Sequence, residues 1–275
     1  MTTVLRRGRN RVRRVRAYAA DLWSRREFAW YMAMGNLKSR NASTALGLLW
    51  WVLNPLLLGL VYFIVFGLIF IGNRPEGFLA YLMSGMFVFQ FTSMSMSGGA
   101  NSILQNSKLL VNLRFPRLIL PVAHLIEAGV GFLASLIVLF AMVIPTGVVP
   151  GPEILLLVVP FTLQLVFNLG LAAVVARLAI PFRDINNLVP YLNRMWLYMS
   201  PIIWPLSYLD RVPRRLALLI DLNPMTGFLS LYRSVLLGYP FEWSALWGTA
   251  AWSIGVGLVG VVLFVKYESR MARYL

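Results

Sequence analysis

The sequence predicts an all-α integral membrane protein: six transmembrane helices, an N-terminal amphipathic interface helix, and short re-entrant outer helices between spans 5 and 6. Two observations predict that class. The 275 residues are 59% hydrophobic and 13% charged, whereas soluble domains average about 45–50% apolar and about 25% charged. Such a chain could not cover its surface with polar groups, which excludes an ordinary soluble enzyme and a disordered chain. The apolar residues also fall in continuous runs of the length that crosses about 30 Å of hydrocarbon as a helix, roughly 20 residues. The period-two alternation of a membrane β-barrel is absent from these runs.

In chain order, residues 1–16 form a basic arm. Lys and Arg number 25 against 10 acids, a formal +15, and eleven of those cations lie between Arg6 and Arg40. They border apolar segments, so anionic lipid headgroups, and not nucleic acid, are the expected counter-charge. No uninterrupted apolar core followed by a small-residue cleavage site marks a signal peptide in this region. Residues 17–40 read as the interface helix. Trp23, Trp30, Met34 and Leu37 recur near i, i+7, i+11 and i+14 over Ala17–Leu37, with Arg25, Arg26 and Glu27 on another face. Such a segment lies in the headgroup layer.

The spans are about Leu46–Ile71, Phe78–Gly99, Leu118–Ile144, Ile154–Ile180, Leu188–Leu209 and Ala245–Val265. Pro190, Pro201 and Pro205 predict a kinked or broken fifth span. The outer 5–6 segment, Pro205–Tyr239, is half apolar and reads as helices that dip back into the outer leaflet, which is allowed only where protein buries the backbone ends. Lys108, Arg114 and Arg117 in the 2–3 loop, Arg183 in the 4–5 loop and Lys266, Arg270 and Arg273 in the tail join the basic arm on one side. The positive-inside rule then puts both termini in the cytoplasm. Arg211, Arg214, Arg215 and Arg233 in the 5–6 segment run against that trend.

The chemistry-bearing residues are few. No GxxxxGK[ST] phosphate loop is present, so the chain is expected not to hydrolyse ATP itself. Gly255-Val-Gly257-Leu-Val-Gly260 matches a dinucleotide fingerprint in letters only. It lies inside an apolar span with no preceding strand, and close helix packing through small residues is the better reading. Cysteine is absent, which removes disulfides, thiol nucleophiles and thiolate metal ligands. His124 and Glu127 share a helix face inside the third span, as a packed hydrogen-bonded pair or as a functional intramembrane pair. Two ligands do not make a metal site, so none is expected. Gln164 and Asn168 share a face of the fourth span and suit either a polar cavity or a helix–helix hydrogen bond.

Aromatic residues are the richer signal. Tyr62, Phe66 and Phe70 stripe the first span, Phe87 and Phe91 the second, and Tyr191, Trp196, Tyr198 and Trp204 crowd the fifth. Their flat faces suit sliding contact with sugar rings, although interface belts and lipid-facing positions also attract aromatics.

The stretch from Gly35-Asn-Leu-Lys-Ser-Arg40 through Ser43-Thr-Ala-Leu-Gly47 to Trp50-Trp-Val-Leu-Asn54-Pro55 resembles the start of the first span in permease subunits of ABC-type polysaccharide exporters, which move O-antigen, teichoic acid or cell-wall galactan. Further blocks agree in order: Asn112-Leu-Arg-Phe115-Pro116-Arg117, Arg183-Asp184, Ser200-Pro201-Ile202-Ile203, and Asn223-Pro224-Met225 through Tyr232-Arg233. The resemblance covers residue 20 to the C-terminus, so that residues 41–275 would be a six-span exporter transmembrane domain. Family members often carry Arg-Tyr where Arg40-Asn41 stands here.

The resemblance implies a homodimer in the bacterial cytoplasmic membrane, with two separate ATPase subunits that bind ATP and Mg. It implies a coupling helix in the 2–3 loop, for which Gln105, Lys108, Leu109, Leu110 and Arg114, with Arg183 and Asp184, are the candidates. It further suggests a lateral gateway for a lipid-pyrophosphate head at Arg25, Arg26, Lys38 and Arg40, since Arg forks onto phosphate oxygens. The glycan would then thread a channel at the dimer axis lined by Tyr62, Phe66, Phe70, Phe87, Phe91, Tyr191, Trp196 and Tyr198. A drug or small-lipid ABC permease, and an ion-coupled carrier using Glu127, are the competing readings.

Overall fold

Ten helices follow from the apolar runs and their breaks in a computed structural model, which describes residues 17–40, 44–69, 77–113, 115–144, 151–206 and 213–271. The basic arm, Phe70 and Arg114 lie outside the described residues, as does the side chain of Arg40. We number the helices α1 (Arg26–Arg40), α2 (Trp50–Ile69), α3 (Phe78–Gln105), α4 (Ser107–Asn112) and α5 (Ile119–Val143). They continue as α6 (Val158–Ala179), α7 (Ile185–Met199), α8 (Arg214–Asp221), α9 (Pro224–Leu237) and α10 (Trp243–Met271). Residues 17–24 are a further helical stretch before α1, and no strand occurs among the described residues.

Among the described residues, five helical segments, containing α2, α3, α5, α6 and α10, are long and apolar enough to cross a membrane. Six were expected, and the difference lies at the fifth expected span. There α7 has 15 residues, about 22 Å at 1.5 Å per residue, against about 30 Å of hydrocarbon. It ends where the prolines predict a break: Ser200 is extended (φ −100°, ψ 147°), as the residue before Pro201 must be to avoid its ring.

The core is organised around α3. In its most apolar stretch 72% of α3 is buried, against 22% for α2 and 28% for α10, so α3 is the central post. It packs on α5, α6, α2, α9 and α7. Phe87 and Phe91 point into this core, where Phe91 stacks on Phe132 and Phe161 at centroid distances of 5.1 and 5.9 Å. Buried polar side chains pin the post. Gln164 Nε2 of α6 donates to the Val88 carbonyl and to Thr92 Oγ1, both at 2.9 Å. The fourth span's amide is therefore a helix–helix bond. Asn168, also fully buried, has no partner for its amide among the described residues.

The most extensive contact in the fold is between α6 and α10, and it is made by glycine. A Cβ on Gly260 would meet the backbone of Gly170, one on Gly170 would meet Val256 and Gly257, and one on Gly257 would lie 2.7 Å from Val166 Cγ1. Gly257 and Gly260 of the GxGxxG letters are thus a surface of close backbone approach, whereas Gly255 faces open space. At the other side of the bundle, α1 lies on α5. Its buried face is Ala29, Ala33 and Leu37, while Trp23 and Trp30 are exposed. Of the aromatic–apolar stripe read from the sequence, only Leu37 is buried in the protein.

Enlarging Gly260 should therefore separate the helices. Overpacking a tight contact costs about 1–3 kcal/mol. Gly260→Leu should lower the detergent-solubilised melting temperature and the monodisperse yield. Gly248→Leu, on the same helix with open space around it, should leave both unchanged. Equal melting of the two variants would refute the glycine contact.

Candidate functional site

Two constructions stand out, one at each end of the central helix. At the first, two of the sequence blocks come together around Arg233. Its guanidinium is 3% exposed. Nη1 donates to the Pro201 carbonyl at 2.8 Å, and Nη2 donates to Tyr81 O at 3.2 Å and Ile202 O at 3.4 Å. It also lies 3.4 Å above the Tyr81 ring centroid, and the Tyr81 hydroxyl donates to Pro201 O and Trp204 O, both at 3.1 Å. A buried charge is costly unless it is hydrogen-bonded. Here it meets the carbonyls of Pro201 and Ile202, released where α7 stops, and that of Tyr81 on α3. Asn223 closes the same break from the other side. Its Oδ1 caps α9 by accepting from Met225 N at 3.0 Å and takes the Trp196 indole N–H at 2.8 Å, while its Nδ2 donates to Ser200 Oγ at 2.9 Å. Gly238, at φ +70°, ends α9 in the left-handed conformation glycine adopts without strain. Arg233 therefore does not count against the positive-inside balance, because it sits inside the protein.

The second construction is a polar cavity of about 690 Å³ between α1, α2, α3 and α5. The α3 wall carries Gln90, Ser93, Ser97 and Asn101 at i, i+3, i+7 and i+11, one helical face. Asn36 and Ser39 of α1 and Trp50 and Asn54 of α2 face them. His124 and Glu127 complete the wall from α5: His124 Nδ1 is 3.1 Å from Glu127 Oε2, which also accepts from Asn36 Nδ2 at 3.5 Å. The helices approach closely here, because a Cβ on Gly98 would lie 2.9 Å from His124 Cβ. Asn193 of α7 donates to Ser97 Oγ at 3.1 Å behind the wall. The His–Glu pair was legible in the sequence. The α3 stripe was missed, although its spacing and the low hydropathy of this span, the least apolar of the five, were available signals.

The remaining candidates divide clearly. Tyr62 and Tyr198 meet hydroxyl to hydroxyl at 3.2 Å, and Phe66 packs on Tyr62 at 6.0 Å between centroids. Tyr191 is 64% exposed on α7. Trp196 turns inward, edge-on to Phe89 at 6.1 Å, so it joins Phe87 and Phe91 in the chain's own core. On the basic side, Arg25 pairs with Asp21 at 3.0 Å and Arg26 lies over Trp23 at 5.4 Å. Lys38 is exposed. Arg25, Arg26 and Lys38 do not line the cavity. Gln105 closes α3, and Lys108, Leu109 and Leu110 lie on the short helix α4, with Leu110 packed on a small apolar cluster. Arg183 and Asp184 are exposed at the start of α7. Just after α4, Arg117 N donates to Glu268 Oε1 at 2.7 Å and its Nη1 to Glu268 O at 2.6 Å, tying this connection to α10. Burial, then the nearby Glu268 charge, holds the Tyr18 hydroxyl above its ordinary range, so it stays protonated at neutral pH.

The sequence profile of the ABC-2 type transporter family matches residues 28–237. The O-antigen export system permease protein RfbA of Myxococcus xanthus is 30% identical over 215 residues, 78% of this chain and 82% of that protein. Two proteins of the same name from Klebsiella pneumoniae are 25% and 24% identical over 244 and 241 residues, covering 87% of this chain and 92% of each relative.

The Arg233 contacts yield a direct expectation. Leaving a buried carbonyl unsatisfied costs about 1–3 kcal/mol. Arg233→Met should lower the melting temperature markedly, and Arg233→Lys, which lacks the planar fork, should recover only part of the loss. Unchanged melting of Arg233→Met would refute this role.

Proposed function

Because this chain belongs to the ABC-2 type transporter family, we propose that it is the membrane subunit of an exporter of lipid-linked polysaccharide, driven by ATP hydrolysed in separate subunits. The observation that carries this reading is the family match across residues 28–237 with three O-antigen export permeases among the relatives. That no GxxxxGK[ST] loop occurs in the sequence supports the reading that ATP and Mg bind to separate ATPase subunits.

In this reading α7 and the Ser200–Trp204 turn make an interrupted sixth crossing, and α8 and α9 dip back from the outer face. Both termini are cytoplasmic, in the bacterial inner membrane. Two copies face one another across the side of α2 and α7 that carries Tyr62, Phe66, Tyr191 and Tyr198. Those four side chains line the glycan path. The inward rings of Phe87, Phe91 and Trp196 instead stiffen the wall behind it. The exposed cations Arg25, Arg26 and Lys38 attract the lipid-pyrophosphate head, and helix α4 with Lys108, Leu109 and Leu110 seats in the ATPase, where a rigid shift of one body moves the other.

Deleting the encoding gene should abolish surface polymer and leave lipid-linked polymer inside the cell, and the wild-type chain should restore export. A Tyr62→Ala/Tyr198→Ala chain, made at normal level, should restore it at least threefold less well. Full surface polymer in the deletion strain would refute the export function. Full restoration by the double variant would refute the aromatic lining alone.

A further inference from the structure

The exposed side of α7 carries a cation that neither the core nor the aromatic contacts account for. Asn187, Tyr191, Arg194 and Tyr198 recur at i, i+4, i+7 and i+11, which is one helical face, and all four are exposed. The buried residues of α7, Val189, Asn193 and Leu197, lie on another side. Arg194 is the only charged residue between Ile185 and Met199, and α2 beside it has none. It stands about 14 Å along the axis from Ile185, at 1.5 Å per residue. One turn further on, Tyr198 meets the Tyr62 hydroxyl, in the middle of the apolar stretch Val52–Ile69. Arg194 is close enough for its charge to act on that same hydroxyl. Among the described residues it forms no ion pair. The donors of Arg233 are taken up by carbonyls, whereas the planar fork of Arg194 is open. A charged side chain at this depth is costly against lipid, and it marks a space lined by protein or filled with water.

We propose that Arg194 is an anion-binding residue inside the export path, where it takes the diphosphate that joins lipid to polymer as the head passes the middle of the membrane. A guanidinium forks onto two phosphate oxygens, and the neighbouring Tyr191, Tyr198 and Tyr62 hydroxyls donate to others. The inference rests on the polysaccharide-export reading and on two copies facing one another across α2 and α7. Each copy then contributes one Arg194, and two cations match the two charges of a diphosphate diester. The cations of the interface helix attract the head, and Arg194 is its next station along the path.

The chain has no cysteine, so Tyr191→Cys places its single thiol one turn from Arg194 on the same stripe. The full chain would be reconstituted in phosphatidylcholine vesicles, and the thiol's rates with an anionic and a cationic methanethiosulfonate compared. We expect both reagents to react, and Arg194→Gln to lower the anionic-to-cationic rate ratio at least fivefold. Arg194→Lys, which keeps the charge, should retain most of that ratio, in variants that remain monodisperse. Leu258→Cys, 62% exposed on the apolar side of α10, should react with neither. Protection is read with an uncharged hydroxyethyl reagent. Farnesyl diphosphate should slow its reaction at least fivefold in the Arg194 chain and leave it unchanged in Arg194→Gln, and phosphatidylglycerol added to the vesicles should protect neither. A thiol that meets no charged reagent, a ratio indifferent to Arg194→Gln, no protection by farnesyl diphosphate, or equal protection by phosphatidylglycerol would overturn the site. If the wild-type chain restores surface polymer in the deletion strain while any of these occurs, only the anion site falls. If the deletion strain keeps its full surface polymer, the export reading falls and takes the diphosphate assignment with it.

Discussion

A backbone that stops being helical inside an apolar bundle must find partners for its freed carbonyls, and here the partner is Arg233. Water cannot reach such groups cheaply, and each unsatisfied one carries a cost of kcal/mol order. The guanidinium reaches Pro201, Ile202 and Tyr81, and Tyr81 reaches Pro201 and Trp204. Asn223 holds the end of α7 against the start of α9. With these contacts made, the chain can turn at Pro201 and return through α9 onto α3 and α10. Without them, α7 would have to continue as a helix or the break would have to move into solvent.

The central helix α3 makes the rest compatible. One side of it holds the phenylalanines that stack with α5 and α6, and another holds Gln90, Ser93, Ser97 and Asn101 at the cavity. A helix buried all round can be polar on one side only where the neighbours also turn polar groups inward. Asn36 of α1, Asn54 of α2 and the His124–Glu127 pair of α5 do so. The polar space is therefore built by four helices at once, and α1 closes it with Asn36 and Ser39 while its small residues Ala29 and Ala33 are buried in the protein.

Much of this was legible in the sequence, because apolar length and proline placement are strong signals. The bounds of the third span moved by one residue at each end, and the fifth broke before Pro201 as its prolines required. The helix-packing sense of Gly257 and Gly260 followed from their apolar context, while Gly255 faces open space. What could not be read was direction. An aromatic stripe does not say whether it faces lipid, a channel or the core: Tyr191 turned out, whereas Phe87, Phe91 and Trp196 turned in. Arg233 counted in sequence as a loop charge on the wrong side, since burial depends on contacts across 152 positions in the chain. The cavity stripe was overlooked because serines and amides in a span look like dilution of an apolar run until their spacing is drawn on a helix.

On the proposed reading, this chain is a path whose motion is driven from another chain. The most direct test is purification of the tagged protein from native membranes in mild detergent, with identification of every co-purifying chain and measurement of ATP hydrolysis. The account predicts an ATPase subunit with an intact phosphate loop in one-to-one ratio with this chain, and vanadate-sensitive hydrolysis. An intact protein that purifies without any nucleotide-hydrolysing partner would contradict it.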